Sequence, residues 1–154
     1  MIATCPVCNK IAFTGDLVTP VTGTTIIVQD YEDATNFSSI DASCSINLLA
    51  ISPSATKLAY NCDTNKLIVN AGTEVALTQT FTTISNLAFL DENSLIANLD
   101  GTVTTILITP GKLYALKGLK AGSSLYAVDY NNQIYAVTNG PTTVEFYNVA
   151  GPLI

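Results

Sequence analysis

Asn47–Asn70, NLLAISPSATKLAYNCDTNKLIVN, and Asn86–Thr109, NLAFLDENSLIANLDGTVTTILIT, carry the same pattern twice. Each is a short apolar run, a polar turn, a second apolar run, another turn and a third run. Apolar runs of this length, bounded by Ser, Asn, Asp and Gly, read as strands joined by tight connections. Each segment therefore reads as three strands of an antiparallel meander.

That pair sets a register for the rest of the chain. Ile11-Ala12-Phe13, Leu58-Ala59-Tyr60, Leu95-Ile96-Ala97 and Ile134-Tyr135-Ala136 align as second strands, their first members 47, 37 and 39 residues apart. A polar turn precedes each one: Pro6–Lys10, Ser52–Lys57, Asp91–Ser94 and Asp129–Gln133. An apolar residue ends the strand before each turn: Cys5, Ile51, Leu90 and Val128. Third strands, rich in β-branched residues, are expected at Thr24–Asp30, Lys66–Asn70, Thr102–Thr109 and Thr142–Val149. Asp63-Thr64-Asn65, Asp100-Gly101 and Asn139-Gly140 lead into the last three. Asp-Gly and Asn-Gly are strong hairpin signals, because both residues tolerate the positive φ that a type I′ turn needs. The first unit carries an insertion, Gly15–Gly23, in place of such a turn. Outer strands are expected at Glu74–Phe81 and Lys112–Leu119, and at Ala34–Ile40 in the first unit. No stretch of useful length has helical periodicity.

The fold class expected is all-β: a single domain built as a four-bladed β-propeller-like array of antiparallel meanders, with blades at about residues 1–40, 41–83, 84–122 and 123–154. A lone meander with two apolar faces cannot bury both. Stacking each between two neighbours does, and explains why Asn47-Leu48-Leu49-Ala50-Ile51 and Thr105-Ile106-Leu107-Ile108 are nearly continuous rather than alternating. This blade pattern resembles the WD40-like β-propeller repeat superfamily, and the resemblance covers essentially the whole chain. It is one of pattern: the Gly-His and Trp-Asp dipeptides of the standard repeat are missing, and Gln29-Asp30-Tyr31 is the nearest remnant of the second. The resemblance implies a scaffold that binds other proteins. A sandwich or solenoid of irregular hairpins is the alternative architecture.

Only Ala150–Ile154 follow the third strand of the last blade, and Pro152 cannot donate to a ladder. The last blade is therefore expected to lack its outer strand. Closure of four blades by packing alone, half of a larger eight-bladed ring made from two copies, and completion by a different protein through strand addition are the three expected solutions.

Charged residues make up 12% of the 154, against about 25% in an ordinary domain. There is no Arg, His or Trp, and the net charge is −6. A thinly spread set of lysines cannot neutralise a run of phosphates, so nucleic acid is not an expected partner. No apolar run approaches the roughly 18–20 residues that span a bilayer, so no membrane insertion is expected. The segment Met1–Lys10 has no charged region followed by an apolar core, so no signal peptide is visible. That points toward an intracellular setting, whereas the low charge points toward a virion or extracellular assembly.

Cys5-Pro6-Val7-Cys8 is the motif with the most chemistry. A C-x-x-C pair can chelate zinc or act as a dithiol, which makes Cys5 and Cys8 the candidate metal ligands. With no His, further ligands would come from Cys44 and Cys62 or from carboxylates, and that spacing is not one of a compact zinc module. A thioredoxin-type site needs the pair at a helix N-terminus, and here it falls at a strand end and turn. The other readings are a disulfide, or Cys5 as a small core hydrophobe with Cys8 in the turn.

Without His, the commonest general base and the Ser–His and Cys–His nucleophilic pairs are excluded. Asp91-Glu92 and Asp129 read as solvated turn acids, and Asp30, Glu32 and Asp33 as a connector lacking the ligand spacing of a calcium loop. No enzyme activity and no cofactor are expected. Tyr114, Tyr126, Tyr130, Tyr135, Phe146 and Tyr147 crowd the C-terminal third. Aromatic residues of this kind are enriched at interfaces, so Tyr130, Tyr147, Leu153 and Ile154 around the incomplete last blade are the candidate partner-binding residues. The expected role is a non-enzymatic protein–protein interaction or scaffold subunit that binds a protein partner or itself. The alternative is a structural component of a virion or surface assembly.

Overall fold

The computed structural model describes residues 2–5, 8–15, 24–63, 65–69, 73–74, 80–109, 113–115, 122–129, 134–138 and 140–148. Among them the protein is all-β, with fifteen strands in four antiparallel sheets and no α-helix. The first sheet holds β1 (Ile2–Cys5), β2 (Lys10–Thr14), β3 (Thr25–Asp30) and β4 (Phe37–Asp41). The second holds β5 (Leu49–Ile51), β6 (Leu58–Cys62), β7 (Lys66–Val69) and β8 (Thr73–Glu74). The third holds β9 (Ile84–Phe89), β10 (Ser94–Leu99), β11 (Thr102–Leu107) and β12 (Leu113–Ala115). The fourth holds β13 (Ser124–Asp129), β14 (Ile134–Thr138) and β15 (Val144–Asn148).

Strand order follows chain order in every sheet, so each is a meander, as the repeat requires. The Asp100-Gly101 turn joins Leu99 directly to Thr102, with φ of 49° and 79° at its two residues, which are the values an Asp-Gly I′ turn needs. The Asn139-Gly140 signal behaves differently. Thr138 pairs with Val144, so the connection spans 139–143, and Pro141 inside it cannot donate to a ladder.

The chain divides into two compact units, Met1–Glu74 and Val75–Ile154. In the first, the first and second sheets pack face to face, β1 against β5, over Ile26, Ile51, Leu58, Tyr60 and Ile68. In the second, the third and fourth sheets pack with β9 against β13, over Leu90, Ile96, Leu125, Tyr135 and Val137. Each fully buried Leu or Ile here contributes roughly 1.5–3 kcal/mol relative to exposure. All six residues of β10 are buried, which is why its sequence runs without alternation, whereas β15 alternates along its length.

Two bulges recur at matching places. Asn86 is the extra residue opposite the Ala97/Asn98 step of β10, at φ 53°, and Tyr126 is the extra residue opposite Ala136 and Val137. The first bulge brings Asn86 to the next sheet. Its Nδ2 donates to the Leu125 carbonyl at 2.7 Å, while Asn98 Oδ1 accepts from the Leu125 amide at 3.1 Å. Two asparagines of the third sheet thus satisfy both halves of one peptide position in the fourth.

Candidate interaction surface

The register of the fourth sheet separates its two faces. Leu125, Val128, Tyr135, Val137 and Tyr147 lie on the face that packs on the third sheet. Ala127, Ile134, Ala136, Val144, Phe146 and Asn148 lie on the other. Among them Phe146 is 74% and Val144 45% exposed. Both sit on β15, the last strand of a sheet that has three strands among the described residues, where the other sheets have four. An exposed apolar row on an edge strand is a liability in a monomer unless something covers it.

Of the sequence-derived candidates, Tyr147 is the one placed within the described residues of this sheet. It is half-buried and stacks on its cross-strand partner Tyr135, with ring centroids 5.4 Å apart and planes 13° from parallel. Its hydroxyl donates to Glu145 Oε2 at 2.8 Å. That bond raises the Tyr147 pKa above its ordinary value, with burial and the Glu145 charge adding to it. Burial raises that of Tyr135. Tyr147 therefore braces the packed face, and its neighbour Phe146 points the opposite way into solvent. Tyr130, Leu153 and Ile154 lie outside the described residues. Phe146 was legible as one member of the aromatic cluster, and strict alternation along β15 is the signal that singles it out.

The first sheet shows the same asymmetry. Ala3, Cys5, Ala12, Ile26, Val28 and Ile40 face the second sheet. Ile2, Ile11, Phe13, Ile27 and Phe37 lie on the opposite face by register, with Ile2 67% and Phe37 47% exposed.

Cys5 and Cys8 are joined as a disulfide, and so are Cys44 and Cys62, leaving no free cysteine among the described residues. Cα separations of 5.4 and 5.5 Å suit such bonds. Cys5 is fully buried, as a core hydrophobe would be, and the other three pack partly buried around the same apolar cluster. A disulfide offers no thiolate, so in this state the pair is neither a ligand set nor a dithiol.

The acidic candidates are occupied locally. Lys10 forms an ion pair with Asp30, and Asn36 Nδ2 also donates to Asp30. The Asp33 carboxylate accepts from Thr35 N at 2.9 Å and Thr35 Oγ1 at 2.5 Å, which lowers its pKa. Asp91 Oδ1 accepts from Asn93 N at 2.7 Å, closing its own turn. No cluster of three potential metal ligands occurs among the described residues.

No protein-family model matches the chain, and no curated protein matches it. Solved structures do match. The crystal structure of the computationally designed Ika4 protein aligns with 96% of this chain and 88% of its own, at a TM-score of 0.59 and 19% identity. At that identity the likeness is one of fold. The class these observations define is an all-β protein of four antiparallel meander sheets.

Proposed function

We propose that the four sheets are blades of a propeller-like array resembling WD40-type repeats, and that the protein is a non-enzymatic interaction or scaffold subunit. The observation that carries this reading is the outer face of the fourth sheet, where Phe146 and Val144 stand exposed on an edge strand. Several features support the blade arrangement: the sequential strand order of each sheet, the packing of first strands β1 on β5 and β9 on β13, and the burial of β6 and β10 on both faces. The complete lack of His, with the acids engaged in turns, supports a role without catalysis.

In this reading the protein works as part of an assembly. Fractionation of an extract from its natural source should place it in a complex larger than its 16.2 kDa chain mass. Phe146→Asp should release it, with the denaturation midpoint of the purified variant unchanged. Elution of the natural protein at its chain mass, or retention of the variant in the complex, would overturn the reading. A second reading, a structural component of a virion or extracellular assembly, is favoured by the two disulfides, since such bonds persist chiefly in oxidising settings.

A further inference from the structure

The two disulfides differ in what surrounds their sulfurs. Cys5 ends β1 and is fully buried, whereas Cys8, in the connection to β2, keeps part of its surface in water. Cys5 Sγ lies 3.2 Å from the carbonyl oxygen of Pro53, in the turn between β5 and β6. Cys8 Sγ lies 3.4 Å from the carbonyl oxygen of Cys5. A disulfide sulfur has no hydrogen to give either oxygen; a thiol does. Among the described residues, neither Cys44 nor Cys62 has its sulfur set against a carbonyl in this way.

We propose that Cys5–Cys8 is a reversible thiol–disulfide exchange site whose co-reactant is a low-molecular-weight thiol, and that Cys44–Cys62 is the structural bond. The proposal does not depend on reading the sheets as blades.

The chemistry enters through the accessible sulfur. An incoming thiolate attacks Cys8 Sγ and forms a mixed disulfide there. The Cys5–Cys8 bond breaks, and its electron pair leaves on Cys5 Sγ, which takes up the proton the incoming thiol gave up on ionising. A second thiol then attacks the small-molecule sulfur of the mixed disulfide and releases Cys8, which is protonated in the same way. Two thiols are thus oxidised to one disulfide, and the Cys5–Cys8 pair is reduced by two electrons and carries two protons.

Three features let the fold accept the reduced state. A buried donor without an acceptor is costly, and the Pro53 carbonyl already stands where the buried Cys5 thiol needs one. The β1–β2 ladder runs in four pairs from Ile2↔Phe13 to Cys5↔Lys10, so the strands that carry the two sulfurs stay joined when the bond opens and it can re-form. The cross-link also spans a separation of only 3 residues, against 18 for Cys44–Cys62. Stabilisation by a cross-link grows with the length of the loop it closes, so the fold loses least by opening the short one.

The purified full chain, equilibrated with glutathione at decreasing disulfide-to-thiol ratio and then alkylated, tests this by peptide mass. Cys5 and Cys8 should become alkylated together while Cys44 and Cys62 remain joined and β1–β3 and β5–β7 keep their amide protection. Excess oxidised glutathione should restore the bond. Resistance of Cys5–Cys8 across the series would overturn the exchange site. Opening of Cys44–Cys62 first, or of both bonds together, would overturn the division between them. Brief exposure of the natural chain to reduced glutathione, stopped with acid, should trap the mixed disulfide on Cys8; finding it on Cys5 would overturn the direction of attack. Cys5→Ala combined with Cys8→Ala should lower the folding constant by a factor about tenfold smaller than the loss of Cys44–Cys62 does, the ratio that loop lengths of these two sizes give. An equal or larger loss would show that the short bond is structural.

Discussion

Cys62 and Leu99 stand at equivalent places, each the last residue of the second strand in its sheet, each followed by an Asp at positive φ. In both sheets the amide of that Asp donates back to the segment leading into the first strand, Asp63 to Ser45 O at 2.9 Å and Asp100 to Thr83 O at 3.0 Å. From there the two units part. In Met1–Glu74 the corner is fastened by the Cys44–Cys62 bond. In Val75–Ile154 it is fastened by the Asp100 carboxylate, which accepts from Thr83 N at 2.8 Å and Thr82 Oγ1 at 2.7 Å. The neighbouring asparagines diverge as well. Asn61 Oδ1 accepts from Asn47 N and Leu48 N within its own sheet, at 2.9 and 2.6 Å, whereas Asn98 reaches the adjacent sheet at Ser124 and Leu125. One backbone design has thus been closed by two chemistries, one sensitive to reductant and the other to acid.

The largest expected effect comes from the covalent corner. Replacing Cys44 and Cys62 together by Ala should cost the first unit about 3 kcal/mol, the scale for closing a loop of about 15 residues; the sequence separation here is 18. Residue-resolved amide exchange should show the loss in β5–β7 and leave β9–β11 unchanged. Equal loss in both units would break the comparison.

Asn98→Ala should come next. It leaves the buried Leu125 amide without its acceptor, a penalty of about 1–3 kcal/mol. A falling urea midpoint, with faster exchange at Leu125, checks it. Unchanged exchange at that amide would show that the asparagine bridge does not hold the two sheets.

The smallest effect concerns pH. Hydrogen bonds from Thr82 and Thr83 hold the Asp100 pKa below its ordinary 3.8. A depressed carboxylate stabilises the fold above its ordinary pKa and ceases to do so as pH falls through the folded value. Protection of the Thr82 and Thr83 amides, taken against the intrinsic exchange rate at each pH, should therefore fall on acidification below about pH 4, and Asp100→Asn should abolish that dependence. Asp33 in the first unit carries a shift of the same sign, so the readout must be local rather than a whole-protein melt. The Cys44–Cys62 corner should stay closed throughout.

Much of this architecture is readable from residues that act on their immediate neighbours. The second strands at Leu58, Leu95 and Ile134, the third strands at Thr25, Lys66 and Thr102, and the Asp100-Gly101 turn all lie where periodicity and turn chemistry put them. The outer strand of the first unit was less legible: β4 starts at Phe37, inside the segment expected from Ala34. Of the runs expected at Glu74–Phe81 and Lys112–Leu119, Glu74 ends β8 and Leu113–Ala115 form β12, and residues 75–79, 112 and 116–119 lie outside the described residues. Outer strands have one neighbour, so the sequence constrains their ends weakly. The exposed face was legible only as an aromatic crowd. Tyr147 and Phe146 are adjacent in sequence and belong to opposite faces, and composition cannot divide them.

By itself the sequence determined that the chain is all-β, that it runs as repeated meanders, and that its central strands are apolar on both sides. Those properties follow from alternation, run length and turn residues, which are local. The tertiary structure decided the cysteine pairing, since four cysteines allow three connectivities. It also decided the bulges at Asn86 and Tyr126 and the choice of Phe146, Val144, Ile2 and Phe37 as the side chains left in water. Each of these depends on which sheet lies against which, a relation between residues far apart in the chain.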